Sequence, residues 1–179
     1  MTDARWLEVD DDLKSAEEHF RNAVALFDEG LSAGRDLQSY KGRMAFMQAM
    51  QAGYTSLEGA FGRILEILGE EKPTSGDDYH AQIVRRVGRA IPNSRPAIVT
   101  GDLWAAVDEA RRFRHVARLR YNDFDLSKVG PAVDAAKAIS TGIQGEIKKF
   151  RVAMASDNTD DNDGGDGAGG GASGGPGTH

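Results

Sequence analysis

The sequence has no cysteine, so disulfides and thiolate metal sites are excluded. Histidine is scarce: His19, His80, His115 and His179 are the only four. No two of them stand at metal-ligand spacing, so no structural zinc site, and no metal or other cofactor, is expected. Long apolar runs are missing as well, and none approaches the ~20 residues that a membrane span requires. The first residues, MTDARWLEVDDD, are acidic and amphipathic rather than basic and then apolar, unlike a secretory signal. A cytoplasmic protein is expected. Bulk basicity is lacking too. The formal net charge is −6, and Asp157, Asp160, Asp161, Asp163 and Asp166 account for most of it in a final stretch without Lys or Arg. The rest of the chain is near neutral, which does not fit an indiscriminate nucleic-acid binder. No segment alternates apolar and polar residues as a half-buried strand would.

What is present is helical periodicity. Trp6, Val9, Leu13, Ala16, Phe20, Val24, Phe27 and Leu31 step by three and four, predicting a first helix from about Arg5 to Leu31, with Gly34 as the break. A second helix is predicted from about Leu37 to Leu68, its stripe formed by Leu37, Tyr40, Met44, Met47, Met50, Tyr54, Leu57, Phe61, Ile64 and Leu68. Gly42, Gly53, Gly59 and Gly62 interrupt it. They signal either close approach of a neighbouring helix or a weak helix held by packing. After a loop at Pro73 and Gly76 comes a short third helix, with Asp77 or Asp78 as candidate cap and an apolar edge of Tyr79, Ile83, Val87 and Ala90. Pro92 and Pro96 break the chain again. A fourth helix is predicted from Thr100, capped by Thr100 or Asp102, to about Tyr121. A fifth begins between Asp125 and Val129 and carries Val133, Ala136, Ile139, Ile143, Ile147, Phe150 and Met154. The expected architecture is an all-α up-down bundle of about five helices over residues 1–155. Residues 156–179, rich in Gly and Asp and without a large apolar side chain, are expected to form a disordered tail.

One stretch stands out. Arg111 to Tyr121, RRFRHVARLRY, holds five arginines in eleven residues. Leu103, Val107, Ala110, Phe113 and Ala117 make the inward stripe of its helix, and at about 100° per residue Arg114, Arg118 and Tyr121 fall in one sector. Like charges one turn apart repel by a few tenths of a kcal/mol, so the clustering does not serve the helix. Two readings stand: a solvated face neutralised by acids elsewhere, or a face that meets an anion.

The stretch DEARRFRHVARLRYNDFDL, from Asp108 to Leu126, resembles the HEPN superfamily, specifically the HepT-like ribonuclease domains that occur as toxins beside a minimal nucleotidyltransferase antitoxin. The resemblance extends over about Ala52 to Ile139. It includes Tyr54 and Glu58 on the second helix, Tyr79 and His80 opening the third, and Arg95-Pro96 before the fourth. It implies a dimeric helical bundle that cleaves RNA without a metal, in toxin–antitoxin systems or phage defence, through an arginine followed four to six residues later by a histidine and then a tyrosine. Arg114 matches the arginine and Tyr121 the tyrosine. The histidine position holds Leu119. The resemblance thus implies Arg114, His115 and Tyr121 as candidate catalytic residues and Arg111, Arg118 and Arg120 as candidate RNA-binding residues. The implied partners are RNA, a second copy of the chain and a nucleotidyltransferase antitoxin.

Arginine suits the charge developing on phosphate, and histidine suits proton transfer near neutral pH. His115 is either a compensating proton carrier or a polar residue that orients Arg114. Tyr121 is either the tyrosine that an antitoxin modifies with adenylate or a packing residue at the helix end. His80 is expected to be a structural hydrogen-bonding group, and His19 to lie at the surface. With Leu119 in place of the histidine, a second expectation is a HEPN module without catalysis that binds RNA, a nucleotide or a protein. A third is a plain bundle with no nucleic-acid role.

Overall fold

The computed structural model describes residues 4–71, 73, 76, 78–119 and 125–160. Five α-helices follow one another: α1 (Ala4–Asp28), α2 (Leu37–Ile67), α3 (Tyr79–Val87), α4 (Gly101–Leu119) and α5 (Gly130–Asp160). A single 3-10 turn, Leu126–Lys128, leads into α5. Among the described residues there is no strand. The one extended pairing is an isolated bridge between Ile91 and Arg95, closed round Asn93 at φ 58°. None of the described helices is long and apolar enough to cross a membrane.

The apolar stripes dictate the packing. Val9, Leu13, Ala16 and Phe20 of α1 meet Met47, Met50, Tyr54, Leu57, Phe61 and Ile64 of α2, and all are buried. Each large apolar side chain so covered contributes roughly 1.5–3 kcal/mol. The two helices run antiparallel: Phe27 lies beside Phe46, and Arg63 reaches back to Asp12. Helix α5 packs along α1 and α4, and α4 closes the ring against α2. Helix α3 is wedged against α2 and α4. Gly53 lies where α1 and α2 approach closely: a Cβ there would stand 3.1 Å from the Phe20 ring, which would have to give by a few tenths of an ångström. The glycines of α2 therefore mark, in this instance, close approach.

Several boundaries and burial expectations are corrected. Helix α1 stops at Asp28 and not at Leu31. The chain turns at Gly30, whose φ of 96° is a conformation that glycine adopts without a Cβ penalty. Leu31 still packs on the core from the loop. Leu37 and Tyr40, predicted to be in the α2 stripe, are 66% and 53% exposed. Phe46, absent from the predicted stripe, is fully buried, between Phe27 of α1 and Phe113 of α4. A helix flanked on two sides buries a wider arc than one stripe. Asp78 stands at the α3 cap position without a side-chain capping bond, and Asp77 lies outside the described residues. Ala90 falls beyond the end of α3 and is exposed. Thr100 precedes α4, but its hydroxyl donates to Glu146 of α5 at 2.6 Å. Helix α5 continues through Asp160, five residues past the boundary expected at 155. Residues 161–179 lie outside the described residues.

Candidate functional site

Helix α4 presents its arginines in a definite order. Phe113 and Ala117 face the core, as the stripe predicts. Arg111 donates to Asp108 at 2.8 Å, and Arg112 pairs with the same carboxylate at 2.7 Å. Both charges are thus met one turn back on their own helix, which relieves part of the like-charge repulsion. Arg118 is exposed, with no carboxylate bonded to it among the described residues. His115 and Val116 are exposed on the outer side of α4. Tyr121 and Arg120 lie outside the described residues, as does the side chain of Leu119.

Arg114 behaves differently. It is half-buried and turns inward across the junction of α2, α3 and α4. Its Nη1 donates to His80 Nε2 at 2.9 Å. The other ring nitrogen of that histidine, Nδ1, lies 2.5 Å from Glu58 Oε2. Arginine can only donate and a carboxylate can only accept, so the two partners set the tautomer: Nδ1 carries the hydrogen and Nε2 presents a lone pair. The guanidinium carbon of Arg114 also stands 5.8 Å from the centre of the Tyr54 ring, within cation–π range. Tyr54 and Tyr79 flank the imidazole edge-on, with ring centres 6.3 and 5.4 Å away. The Tyr54 hydroxyl is buried beside Glu58, but no well-formed hydrogen bond closes to it. Burial first, and then the negative charge of Glu58, push its pKa well above the ordinary phenol value, so it stays protonated.

Position along the helices explains the assembly. Tyr54 and Glu58 are one turn apart on α2, so they share a face. His80 sits in the first turn of α3, which ends on α4: Trp104 Nε1 donates to Val84 O at 2.9 Å. A Cβ on Gly88 would fall 2.1 Å from that indole nitrogen, so α3 and α4 touch closely. The result is a polar chain, Glu58–His80–Arg114, in which the cation rests on an uncharged imidazole. Among the described residues this is the one hydrogen bond of Arg114, whose guanidinium carries five N–H donors in all.

The other end of α3 carries a second arginine–glutamate pair. Arg95 is 4% exposed and bonds both oxygens of Glu70 through Nε and Nη2. It also donates to the carbonyls of Arg86, Arg89 and Pro96. A cleft of about 450 Å³ opens there, lined in part by Arg86, Arg89, Glu70 and Glu71. Arg95 is committed to holding the loop, and Arg86 donates to the Glu71 carbonyl. Among the described residues, no group of three or more His, Asp or Glu side chains gathers as a metal site would.

Sequence reasoning placed Arg114 on the fourth helix, where it lies, but did not connect it to His80 and Glu58. His80 is indeed a hydrogen-bonding group, and its partner is the arginine of the motif. The signal was the co-occurrence of Tyr54, Glu58 and His80 in the resemblance, without their mutual positions. Comparison with known families matches one described as HepT-like protein over residues 45–154, a span that contains α3, α4 and most of α2 and α5. No curated protein and no solved structure matches the chain.

Proposed function

The chain belongs to the HepT-like family, and from that premise we propose that it is an RNA-directed module of toxin–antitoxin or phage-defence type that cleaves RNA without a metal ion, with Arg114 holding the scissile phosphate. The observation that carries this reading is the bonding of Arg114. It is half-buried at the meeting point of three helices, it bonds an imidazole lone pair instead of a carboxylate, and it keeps its full positive charge. A planar fork with free donors in a partly dry setting is suited to a phosphate whose charge grows during reaction. Arg118, one turn on and exposed, extends the positive strip along the RNA backbone. Arg111, paired with Asp108, contributes less. The reading includes a second copy of the chain and a nucleotidyltransferase antitoxin as partners. Val116, 49% exposed beside His115, offers apolar surface for a partner to cover.

RNA cleavage by the purified protein in EDTA tests it. The expected outcome is cleavage that Arg114→Ala lowers by about 10²–10³-fold, the usual consequence of removing one donor to a developing oxyanion. Cleavage that persists unchanged in Arg114→Ala would remove this arginine from the reaction.

A second reading rests on Leu119, which cannot move a proton. Under it the same arginines bind RNA, a nucleotide or a protein without cleavage. An inert parent combined with cleavage by Leu119→His would establish that the site is intact and disabled.

A further inference from the structure

The motif's histidine position is filled by a leucine, yet an imidazole still stands at the motif's arginine. It arrives from another helix. His80 lies 34 residues before Arg114, and its Nε2 is 2.9 Å from Arg114 Nη1. Its Nδ1 is held by Glu58, whose side chain is 15% exposed, while His80 itself is 29% exposed. The carboxylate is thus more covered than the imidazole it holds. A carboxylate that fixes Nδ1–H and points Nε2 at the reacting group is the arrangement by which a histidine is prepared as a base. The edge-on rings of Tyr54 and Tyr79 further restrict the plane of the imidazole. His115 has none of this: it is exposed, and among the described residues no carboxylate holds it.

Building on the ribonuclease reading above, we infer that His80 is the proton acceptor of this chain's reaction, supplied by α3 in place of the histidine that Leu119 displaces. In the resting arrangement Arg114 occupies the Nε2 lone pair. A phosphodiester draws the guanidinium onto its own oxygens and so uncovers Nε2 beside the neighbouring ribose. Nε2 then takes the proton of the 2′-OH as the 2′-oxygen forms a bond to phosphorus and the bond from phosphorus to the 5′-oxygen breaks. The 5′-oxygen leaves with a proton from solvent, and the imidazolium returns its proton to solvent. The products are a 2′,3′-cyclic phosphate and a 5′-hydroxyl, with no change of oxidation state.

The experiment uses the full-length protein in EDTA with a mixed-sequence single-stranded RNA oligonucleotide and its all-deoxy counterpart. The parent is compared with His80→Ala, His80→Gln and His80→Ala supplied with free imidazole. The expected result is cleavage of RNA but not DNA by the parent and a loss of about 10²–10⁴-fold in both variants. RNA affinity stays unchanged, and imidazole partly restores the alanine variant. His80→Gln keeps a group that can accept from Arg114, so full cleavage by that variant overturns the inference while leaving the ribonuclease reading intact. Loss in His80→Ala without recovery by imidazole also overturns it, making His80 a positioning residue. A parent that cleaves nothing defeats the ribonuclease reading itself, and this assignment with it.

Discussion

The two ends of α3 present the same ingredients in different order. At its C-terminal side Arg95 and Glu70 touch directly, deep in the protein, and every remaining donor of the guanidinium faces a carbonyl or the carboxylate. At its N-terminal side Arg114 and Glu58 are kept apart by the ring of His80. A direct buried pair neutralises both charges and leaves nothing to offer a ligand. Its removal is costly mainly because a charge is then stranded. An imidazole placed between the same two charges transmits orientation without neutralisation. Among the described residues the arginine makes one hydrogen bond, and it is to an imidazole nitrogen and not to a carboxylate. One end of the helix is therefore a clasp, and the other end has the composition of a reactive site.

The contrast can be broken or sharpened by experiment. The largest effect is expected at the clasp: Arg95→Ala leaves Glu70 without its buried partner and should lower stability by about 3–5 kcal/mol, read by urea unfolding. Arg114→Ala should leave the unfolding midpoint nearly unchanged and instead weaken RNA binding, with the slope of log affinity against log salt falling by about 0.7, the share of one phosphate contact on a single strand. If the two variants exchange these phenotypes, the distinction between the two ends fails. An intermediate effect is expected at Gly88→Ala, where the new Cβ must displace the Trp104 indole and its bond to Val84. Overpacking of this kind costs about 1–3 kcal/mol, and since it shifts α3 against α4 it should lower cleavage together with the melting temperature.

The smallest effect belongs far from α3. Asp36 caps α2, accepting from the Ser39 backbone at 2.9 Å, and the Ser39 hydroxyl followed by that N–H lowers its pKa below 3.8. Its contribution is present at neutral pH and is lost as pH falls through the lowered value. Asp36→Ala should therefore reduce the melting temperature slightly at pH 7, and the difference from the parent should shrink below pH 3.8. A difference that persists at low pH would show that packing of the side chain, not its charge, supports the helix.

Much of the fold was legible because helical periodicity is a local signal. The stripe Val133, Ala136, Ile139, Ile143, Ile147 and Phe150 is buried throughout, as its spacing predicts. Legibility failed where burial depended on a neighbour. Leu37 and Tyr40 continue the period of α2 but are exposed, and Phe46 departs from it but is enclosed from two sides. In the candidate site the sequence put Arg114 and Arg118 in one sector of the helix and did not say which charges had partners. The arginines are in fact sorted by their partners: Arg111 and Arg112 on Asp108, Arg114 on His80, Arg118 in the open.

The sequence by itself determined the all-helical class, the positions of the five helices and the family, because each is written in spacing over a turn or two or in a contiguous motif. Only the tertiary structure decided which charges are spent and which remain available. His80 is 22 residues from Glu58 and 34 from Arg114, and no local rule connects them. Their meeting follows from how α3 lies between α2 and α4, and packing of whole helices is a property of their facing surfaces, not of any one stretch of chain.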